Sequence, residues 1–332
     1  MKILFLTPNF EGYIGVNKWY FTEALKREAD VTCIGKYYPD YKPGMTLQDA
    51  MTDGTPDVIC YWQCATTPTG KFEGLAESRI PKVAFMHDGH NYRDAQISNV
   101  NRLGMDLALF PSWTEYLFYY LERVQCPMVF HPCSIEENVY KDYRLPKTVD
   151  VMKAGMYGKF YPLRDYISLK MKEWSRTTKL RIVNLPHFGY NYDTLTRYES
   201  ELKPKGYLWR EDYAMALNKS KTFMFDGGKY RSAVNKYFEG MACKTLVMAP
   251  LPFMSWKYGF KKDQHLVHIT RFNLERKLQY YLEHEDERRK IIDAAYIHVM
   301  KYHSNTVRVQ ETLQLFDKLL DGAVFPPPLQ FN

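Results

Sequence analysis

The segment that decides the fold reads Lys229-Tyr-Arg-Ser-Ala-Val-Asn-Lys-Tyr-Phe-Glu-Gly-Met-Ala-Cys-Lys-Thr-Leu-Val-Met-Ala-Pro250. Its pattern predicts a loop, a short helix carrying Lys236 and Glu239 about one turn apart, and a buried strand from Leu246 to Ala249. The first turn of such a helix offers free backbone N–H groups, and the nearby cations Arg231 and Lys236 add positive charge. The helix start therefore suits a diphosphate. The Glu239 carboxylate can accept hydrogen bonds from two ribose hydroxyls.

The segment has a cation, then a carboxylate, then small residues at the end of the helix, and then a buried strand. This order resembles the nucleotide-sugar signature of retaining GT-B glycosyltransferases. The nearest likeness is to the spore-maturation, CgeB-like branch of glycosyltransferase group 1, with its Arg/Lys-x-x-Glu-small-Met/Leu-Ala-Cys-Gly run. The chain departs from the larger family twice. Arg231 stands where many members have an earlier glutamate, and Lys244 stands where the helix usually ends at glycine.

The resemblance implies a nucleoside-diphosphate sugar as the donor co-substrate, expected to be UDP-linked, and no further cofactor. It implies that Lys236 and Arg231 act catalytically by stabilising charge on the departing diphosphate. It also implies that Glu239, together with Tyr237 and Gly240, binds the donor.

Length and composition are those of a folded two-domain protein. The 332 residues suffice for two domains of about 150 residues, and the apolar fraction is 45%. A net charge of +7 favours an anionic partner: a nucleotide sugar, an anionic lipid or a nucleic acid. No apolar run approaches the roughly 20 residues of a membrane span. The N-terminus begins on a strand-like segment, so we expect a cytoplasmic protein. The six cysteines are interpreted as small buried apolar residues.

Short apolar runs alternate with helix-length segments along the chain, which indicates parallel strands joined by crossover helices. Strands are predicted at 3–6, 31–34, 58–62, 83–86, 107–110, 128–130, 149–154, 180–183, 222–225, 246–249 and 266–269. The polar stretch from Glu136 to Val149 interrupts this rhythm and is interpreted as a linker. Residues 273–320 are predicted to be helical throughout.

These patterns and the resemblance predict an α/β protein of the GT-B class, in which two Rossmann-like doubly wound domains face a cleft. Residues 1–145 form the predicted acceptor-side domain, and residues 146–302 form the predicted nucleotide-sugar domain. Residues 303–332 form the predicted C-terminal helix that returns to the N-terminal domain, followed by a tail.

Two loops of the N-terminal half carry candidate residues on the acceptor and sugar side. Gly12 and Gly15 follow the first strand, where glycine lets a ligand approach the backbone, although a plain turn explains them equally well. His87, Asp88 and His90 follow the strand at 83–86. By resemblance the catalytic residue beside the transferred sugar is His87, with Asp88 as the alternative, and no metal is expected.

A glycine-containing loop opens the second half. Gly155, Tyr157 and Lys159 precede a Tyr-Pro-x-Arg segment that ends at Arg164. The resemblance implies that this loop binds the nucleotide and diphosphate. The alternative is a plain helix start at Pro162 with Arg164 in solvent.

The sequence therefore predicts a glycosyltransferase that moves a sugar from a nucleoside-diphosphate sugar to a hydroxyl acceptor, with retention implied by resemblance. Two alternatives stay open. One is a phage-type enzyme that glycosylates hydroxylated DNA bases, for which nucleic acid is the acceptor. The other is a non-catalytic protein that binds nucleotide sugars or polyanions.

Overall fold

The computed structural model describes residues 1–62, 71–87, 89–187, 189 and 192–327, without the side chains of residues 90 and 91. The chain forms two compact units. The first comprises Met1–Phe10, Phe21–Pro132 and Arg308–Asn332, and the second comprises Glu11–Tyr20 and Cys133–Val307.

The first unit contains a six-stranded parallel sheet in the order β2-β1-β3-β4-β5-β6. Strands such as Val58–Trp62 are apolar and buried along their whole length, as expected when helices cover both faces of a parallel sheet. The strands are β1 Lys2–Leu6, β2 Asp30–Ile34, β3 Val58–Trp62, β4 Lys82–Phe85, β5 Leu107–Phe110 and β6 Met128–Phe130. The order reverses at β1, which makes the sheet doubly wound.

The second unit repeats this topology in a five-stranded parallel sheet of order β11-β10-β9-β7-β8. Its strands are β7 Val149–Lys153, β8 Ile182–Asn184, β9 Ser220–Met224, β10 Leu246–Ala249 and β11 Val267–His268. A buried apolar cluster that includes Val151, Ile167 and Leu278 packs helices against this sheet. Both sheets match the strands predicted from the sequence within one or two residues.

Helices connect the strands. They are α1 Asn17–Glu28, α2 Leu47–Ala50, α3 Gly89–Arg102, α4 Trp113–Glu115, α5 Pro162–Thr177, α6 Thr194–Arg197, α7 Arg210–Asn218, α8 Asn235–Ala242, α9 Leu274–Glu283, α10 Glu285–Tyr302 and α11 Asn305–Leu320. Short π-helical segments at Tyr116–Tyr120 and Tyr198–Leu202 follow α4 and α6. From Arg308 onward α11 belongs to the first unit, which confirms the predicted return of the C-terminal helix.

The segment from residue 273 to residue 320, predicted to be helical throughout, forms three helices, because the backbone breaks at His284 and His303. His284 has φ −109° and ψ 78°, and His303 has φ −135° and ψ 16°. The helix after His284 restarts with three acidic residues, Glu285, Asp286 and Glu287. Acidic side chains stabilise the positive end of a helix dipole, so this sequence favours a new helix start.

The end of α8 explains how the chain does without the usual glycine. Lys244 adopts a left-handed φ of +53°. Thr245 N–H then bonds to the carbonyl of Gly240 at 3.1 Å, as in a glycine-terminated helix. Lys244 Nζ also forms an ion pair of 2.6 Å with Asp293 Oδ1.

Candidate functional site

Most predicted donor-binding residues lie at the carboxyl edge of the second sheet. In doubly wound folds this edge is where ligands bind, because all parallel strands end there. Gly155 follows β7, and the loop after β9 leads to α8, which carries Lys236 and Glu239. The second unit therefore gathers these residues as the sequence expects.

Arg164, near the start of α5, forms a buried ion pair with Asp226. Only 3% of each residue is exposed, and Arg164 Nε lies 3.3 Å from Asp226 Oδ1. The guanidinium also donates to the carbonyl oxygen of Asp226 at 2.6 Å. The interpretation of Arg164 as a solvated residue is therefore wrong, since its charge is paired inside the protein.

The same Asp226 carboxylate caps helix α5. Its Oδ2 accepts hydrogen bonds from the backbone N–H groups of Leu163 and Arg164, at 2.9 and 3.2 Å. A helix start has free N–H groups that a carboxylate satisfies well. The N-terminus of α5 is thus occupied by an anion of the protein itself.

Lys153, the last residue of β7, is a second buried cation. It is 0% exposed, and its Nζ lies 3.6 Å from the ring centroid of Tyr157 and 3.5 Å from Asn184 Oδ1. The Tyr157 hydroxyl donates to the same Asn184 oxygen at 2.9 Å. Within the described residues no carboxylate forms a salt bridge with Lys153. Burial lowers the pKa of its ammonium group.

Lys236 lies against Gly155 and Arg164. A Cβ atom at Gly155 would be 2.9 Å from Lys236 Cε and 2.7 Å from Arg164 Nη1, and Gly155 has φ +106°. The positive φ therefore favours glycine here, and its missing side chain leaves room for the ends of Lys236 and Arg164. Burial and the nearby Arg164 charge lower the pKa of Lys236 to about 8. His187, beyond β8, is kept neutral at pH 7 because burial and the charges of Lys236 and Arg164 lower its pKa to about 4.

Glu239 is the buried acid of this group, with 6% of its surface exposed. Its Oε1 accepts a hydrogen bond of 2.7 Å from Asn17 Nδ2, and its Oε2 accepts one of 3.2 Å from the Tyr213 hydroxyl. Burial raises the pKa of this carboxyl, while the charge of Lys236 and the two hydrogen bonds oppose the rise. The acid thus sits beside the cations as a hydrogen-bond acceptor.

Tyr237 and Gly240, predicted to bind the donor, lie in the packing core of α8. Tyr237 is 0% exposed and donates from its hydroxyl to the carbonyl of Pro250 at 2.5 Å. A Cβ atom at Gly240 would lie 2.8 Å from Val247 Cγ2 and 3.0 Å from Phe223 Cδ1. Gly240 therefore lets the helix approach the sheet closely.

Arg231 and Lys159 are exposed cations outside the buried group. The Arg231 guanidinium donates to the carbonyl of Leu251, beyond β10, from Nη2 at 3.0 Å and from Nε at 3.3 Å. Lys159 Nζ lies 5.8 Å from the Phe160 ring centroid. The structure thus separates the two from the buried cations with which the sequence groups them.

The loop with Gly12 and Gly15 belongs to the second unit. The carbonyl of Gly12 accepts the Thr194 N–H at 3.0 Å, and a Cβ atom on Gly12 would clash with the carbonyl oxygen of Tyr192. A Cβ on Gly15 would lie 3.0 Å from the Tyr13 ring. Close packing therefore accounts for the glycine at position 12.

His87 follows β4 in the first unit. Its backbone is bonded twice to the buried Gln96 of α3: His87 N–H donates to Gln96 Oε1 at 3.0 Å, and Gln96 Nε2 donates to the His87 carbonyl at 2.6 Å. The imidazole lies 6.3 Å from the Trp62 ring, centroid to centroid. Asp88 and the side chain of His90 lie outside the described residues.

The members of the site that were missed at the sequence level include Lys153, Asp226 and Asn17. Lys153 and Asp226 stand at or just beyond the end of an apolar strand, which is a usable signal because such positions open onto the ligand edge. Asn17 gave no such signal, since its partner Glu239 is 222 residues away.

No helix in the described part of the chain is long and apolar enough to cross a membrane. Among the described residues, no group of three or more His, Cys, Asp and Glu side chains is arranged to hold a metal ion.

Comparison with known proteins confirms the predicted resemblance. Residues 170–314 match the family model described as glycosyl transferase-like. No curated protein sequence matches the chain significantly.

Solved structures of glycosyltransferases share the two-unit fold across nearly the whole chain. Their sequence identities to this chain are low, so the similarity shows a shared fold. Sucrose-phosphate synthase from Thermosynechococcus elongatus is similar with a TM-score of 0.68 and 11% identity, covering 97% of this chain and 100% of that one. A glycosyltransferase from Rickettsia africae gives a TM-score of 0.66 and 12% identity, covering 97% and 99%. Anabaena HepE in complex with UDP-glucose gives 0.62 and 12%, covering 96% and 100%. The GT-B fold class is thereby confirmed.

Proposed function

We propose that this enzyme transfers a sugar from a UDP-linked donor to a hydroxyl acceptor, with retention of anomeric configuration. The observation that carries the proposal is the buried charge of the second unit. Burial and the Arg164 charge lower the pKa of both Lys153 and Lys236, and within the described residues Arg164 is the one cation of the three in a salt bridge. A desolvated cation that no carboxylate neutralises is costly, so this group favours an anionic ligand.

A diphosphate fits this arrangement chemically. Its oxygens accept charge-assisted hydrogen bonds from ammonium groups, and each such bond lowers the mutual repulsion of the cations. When the sugar leaves, negative charge develops on the diphosphate. Lys236 and Lys153, fixed in a low-dielectric setting, would stabilise that charge without reorganisation. Arg164 is held by Asp226 and adds to the positive field.

Glu239 is proposed to bind the ribose of the donor. A carboxylate offers about four lone-pair sites, and two are used by Asn17 and Tyr213. The remaining sites can accept both hydroxyls of a ribose diol. The choice of uridine is supported by HepE, a protein of the same fold that binds UDP and UDP-glucose. The proposal of retention rests on the resemblance of residues 229–250 to the nucleotide-sugar signature of retaining GT-B glycosyltransferases.

Nucleotide binding tests the donor half of this proposal. We expect UDP to bind in calorimetry more tightly than UMP, and Lys153→Met to remove most of that difference because it removes a phosphate ligand. Glu239→Gln should weaken UDP by about 1.5 to 3 kcal/mol. The Glu239→Gln variant should also bind UDP and 2′-deoxy-UDP with similar affinity, whereas the wild-type protein should bind UDP more tightly than 2′-deoxy-UDP. Glu173→Ala, an exposed acid on α5, is the control.

Turnover tests the reaction. Donor consumption is followed with a panel of UDP-sugars, with and without acceptors that include saccharides and DNA with hydroxylated bases. Proton NMR of the product's anomeric centre reports retention or inversion. UDP binding without consumption of any donor in this panel would contradict the proposed transfer, and an inverted product would contradict retention alone.

A further inference from the structure

The partners of Glu239 point to a role for a residue far away in the sequence. Asn17 is the first residue of α1 and is 8% exposed. Its amide nitrogen donates to Glu239 Oε1 at 2.7 Å, a short distance typical of a hydrogen bond to a charged acceptor. The Tyr213 hydroxyl, on α7, holds Oε2 at 3.2 Å. Each carboxylate oxygen therefore has one donor from a different element.

We propose that Asn17 is a positioning residue for the donor ribose: it holds the Glu239 carboxylate ionised and turned so that its remaining lone pairs accept the ribose diol. This inference rests on the function proposed above for Glu239. It adds the segment Glu11–Tyr20, which belongs to the second unit, to the donor site.

The chemistry of the amide explains why asparagine suits this position. Only its NH2 group can donate to a carboxylate, so the contact with Glu239 fixes the orientation of the amide. The amide oxygen, Oδ1, is then left buried and without a hydrogen-bond partner in the described residues. A buried acceptor without a partner is unfavourable, so the protein retains this arrangement at a cost to stability.

The charged state of Glu239 depends on few groups. Lys236 on the same helix is the nearby cation that favours the ionised carboxylate. The other titratable groups that face it are Tyr213, Tyr140 and Cys243, whose pKa values are all raised by burial and which are therefore neutral in the working range. Removing the Asn17 donor should accordingly raise the pKa of Glu239 further.

The sign of the pH effect follows from the ribose contact. The ribose diol donates hydrogen bonds to the ionised carboxylate of Glu239. Protonation of this carboxylate weakens those bonds, so UDP affinity falls as the pH drops through the pKa of Glu239. In Asn17→Ala this fall should begin at a higher pH. UDP binding by Asn17→Ala should be about tenfold weaker than by the wild type at the acid end of the titration, with a smaller difference at the alkaline end.

The experiment combines two measurements. The first is the titration of Glu239 in the free protein by 13C NMR of labelled glutamate carboxyls, assigned by its absence in Glu239→Gln. The second is UDP calorimetry from pH 5.5 to 8.5. Tyr213→Phe, which removes the other donor, should shift both curves as Asn17→Ala does. Asn138→Ala is the matched control, because Asn138 donates to a different glutamate, Glu136, at 2.7 Å.

The outcomes separate this inference from the proposed function. If Asn17→Ala leaves the Glu239 titration unchanged, or if it binds UDP as tightly as the wild type at every pH, the inference is overturned although UDP binding stands. If the wild type does not bind UDP, the proposed function fails. The double variant Asn17→Ala/Glu239→Gln should show the same pH dependence of UDP affinity as Glu239→Gln alone. A different pH dependence in the double variant would also overturn the inference.

Discussion

Replacing Lys236 with methionine should remove the alkaline loss of donor affinity that we expect of the wild-type protein. Burial and the Arg164 charge place the pKa of Lys236 at about 8 in the ligand-free protein. On the function proposed above, the donor diphosphate binds better to the protonated amine. Affinity is therefore constant well below this pKa and decreases as the pH rises through it.

The magnitude follows from the pKa. With a value of about 8, roughly nine-tenths of the Lys236 side chains are charged at pH 7 and roughly one-tenth at pH 9, so affinity falls about tenfold, or ~1.4 kcal/mol. Lys236→Met lacks the charge throughout. Its affinity should be lower than the wild type's at pH 7 by about 1.5 to 3 kcal/mol, and the two curves should approach each other above pH 9.

The assay is calorimetric titration of UDP-glucose between pH 6.5 and 9.5. Ionisation of the ligand itself is common to both proteins, so the difference between their curves isolates the lysine. Lys172→Met, an exposed lysine on α5, should keep the wild-type slope. Any slope left in Lys236→Met should disappear when Lys153→Met is added, because the pKa of Lys153 is also lowered by burial. A flat wild-type curve, or an unchanged slope in Lys236→Met, would refute the reasoning.

Three further predictions concern stability and transfer. Asp226→Ala should lower the free energy of unfolding by about 3 to 5 kcal/mol, since it leaves Arg164 buried without its partner; urea unfolding measures it, and a loss below about 1 kcal/mol would contradict the ion pair's role. Gly240→Ala should cost about 1 to 3 kcal/mol through its clash with Val247, seen as a lower melting temperature. His87→Ala should slow transfer by about 100-fold or more while UDP affinity stays unchanged; intact turnover would mark its loop as ordinary surface.

The strands could be predicted almost completely from the sequence. Buried parallel strands are short apolar runs, and the helices and loops that connect them separate one run from the next. The runs ending at Trp62 and Phe110 show this, as every residue in both strands is buried. The position of α8 was also predicted, from the segment that precedes the apolar strand at 246–249. The helix break at His284 was not predicted, although the acidic residues that follow it are a sequence signal for a new helix start.

The candidate site was predictable only in part. Local spacing placed Lys236 and Glu239 on one helix, and the structure places both at the ligand edge. Spacing could not reveal which charges are paired, because Arg164 and its partner Asp226 are 62 residues apart. It also could not tell which residues of α8 face the core: Tyr237 is a polar aromatic that fits either environment and proves to be buried.

The cap that Asp226 places on α5 has a consequence for how this site can change over generations. Many nucleotide-binding loops bind phosphate with main-chain N–H groups, which no single substitution can remove. Here the main-chain donors of Leu163 and Arg164 are already used by Asp226. On the function proposed above, the side chains of Lys153 and Lys236 take the place of these α5 donors in phosphate binding. On that proposal, one codon change at either lysine would alter the strength and pH range of donor binding while the main chain that positions the site stays the same.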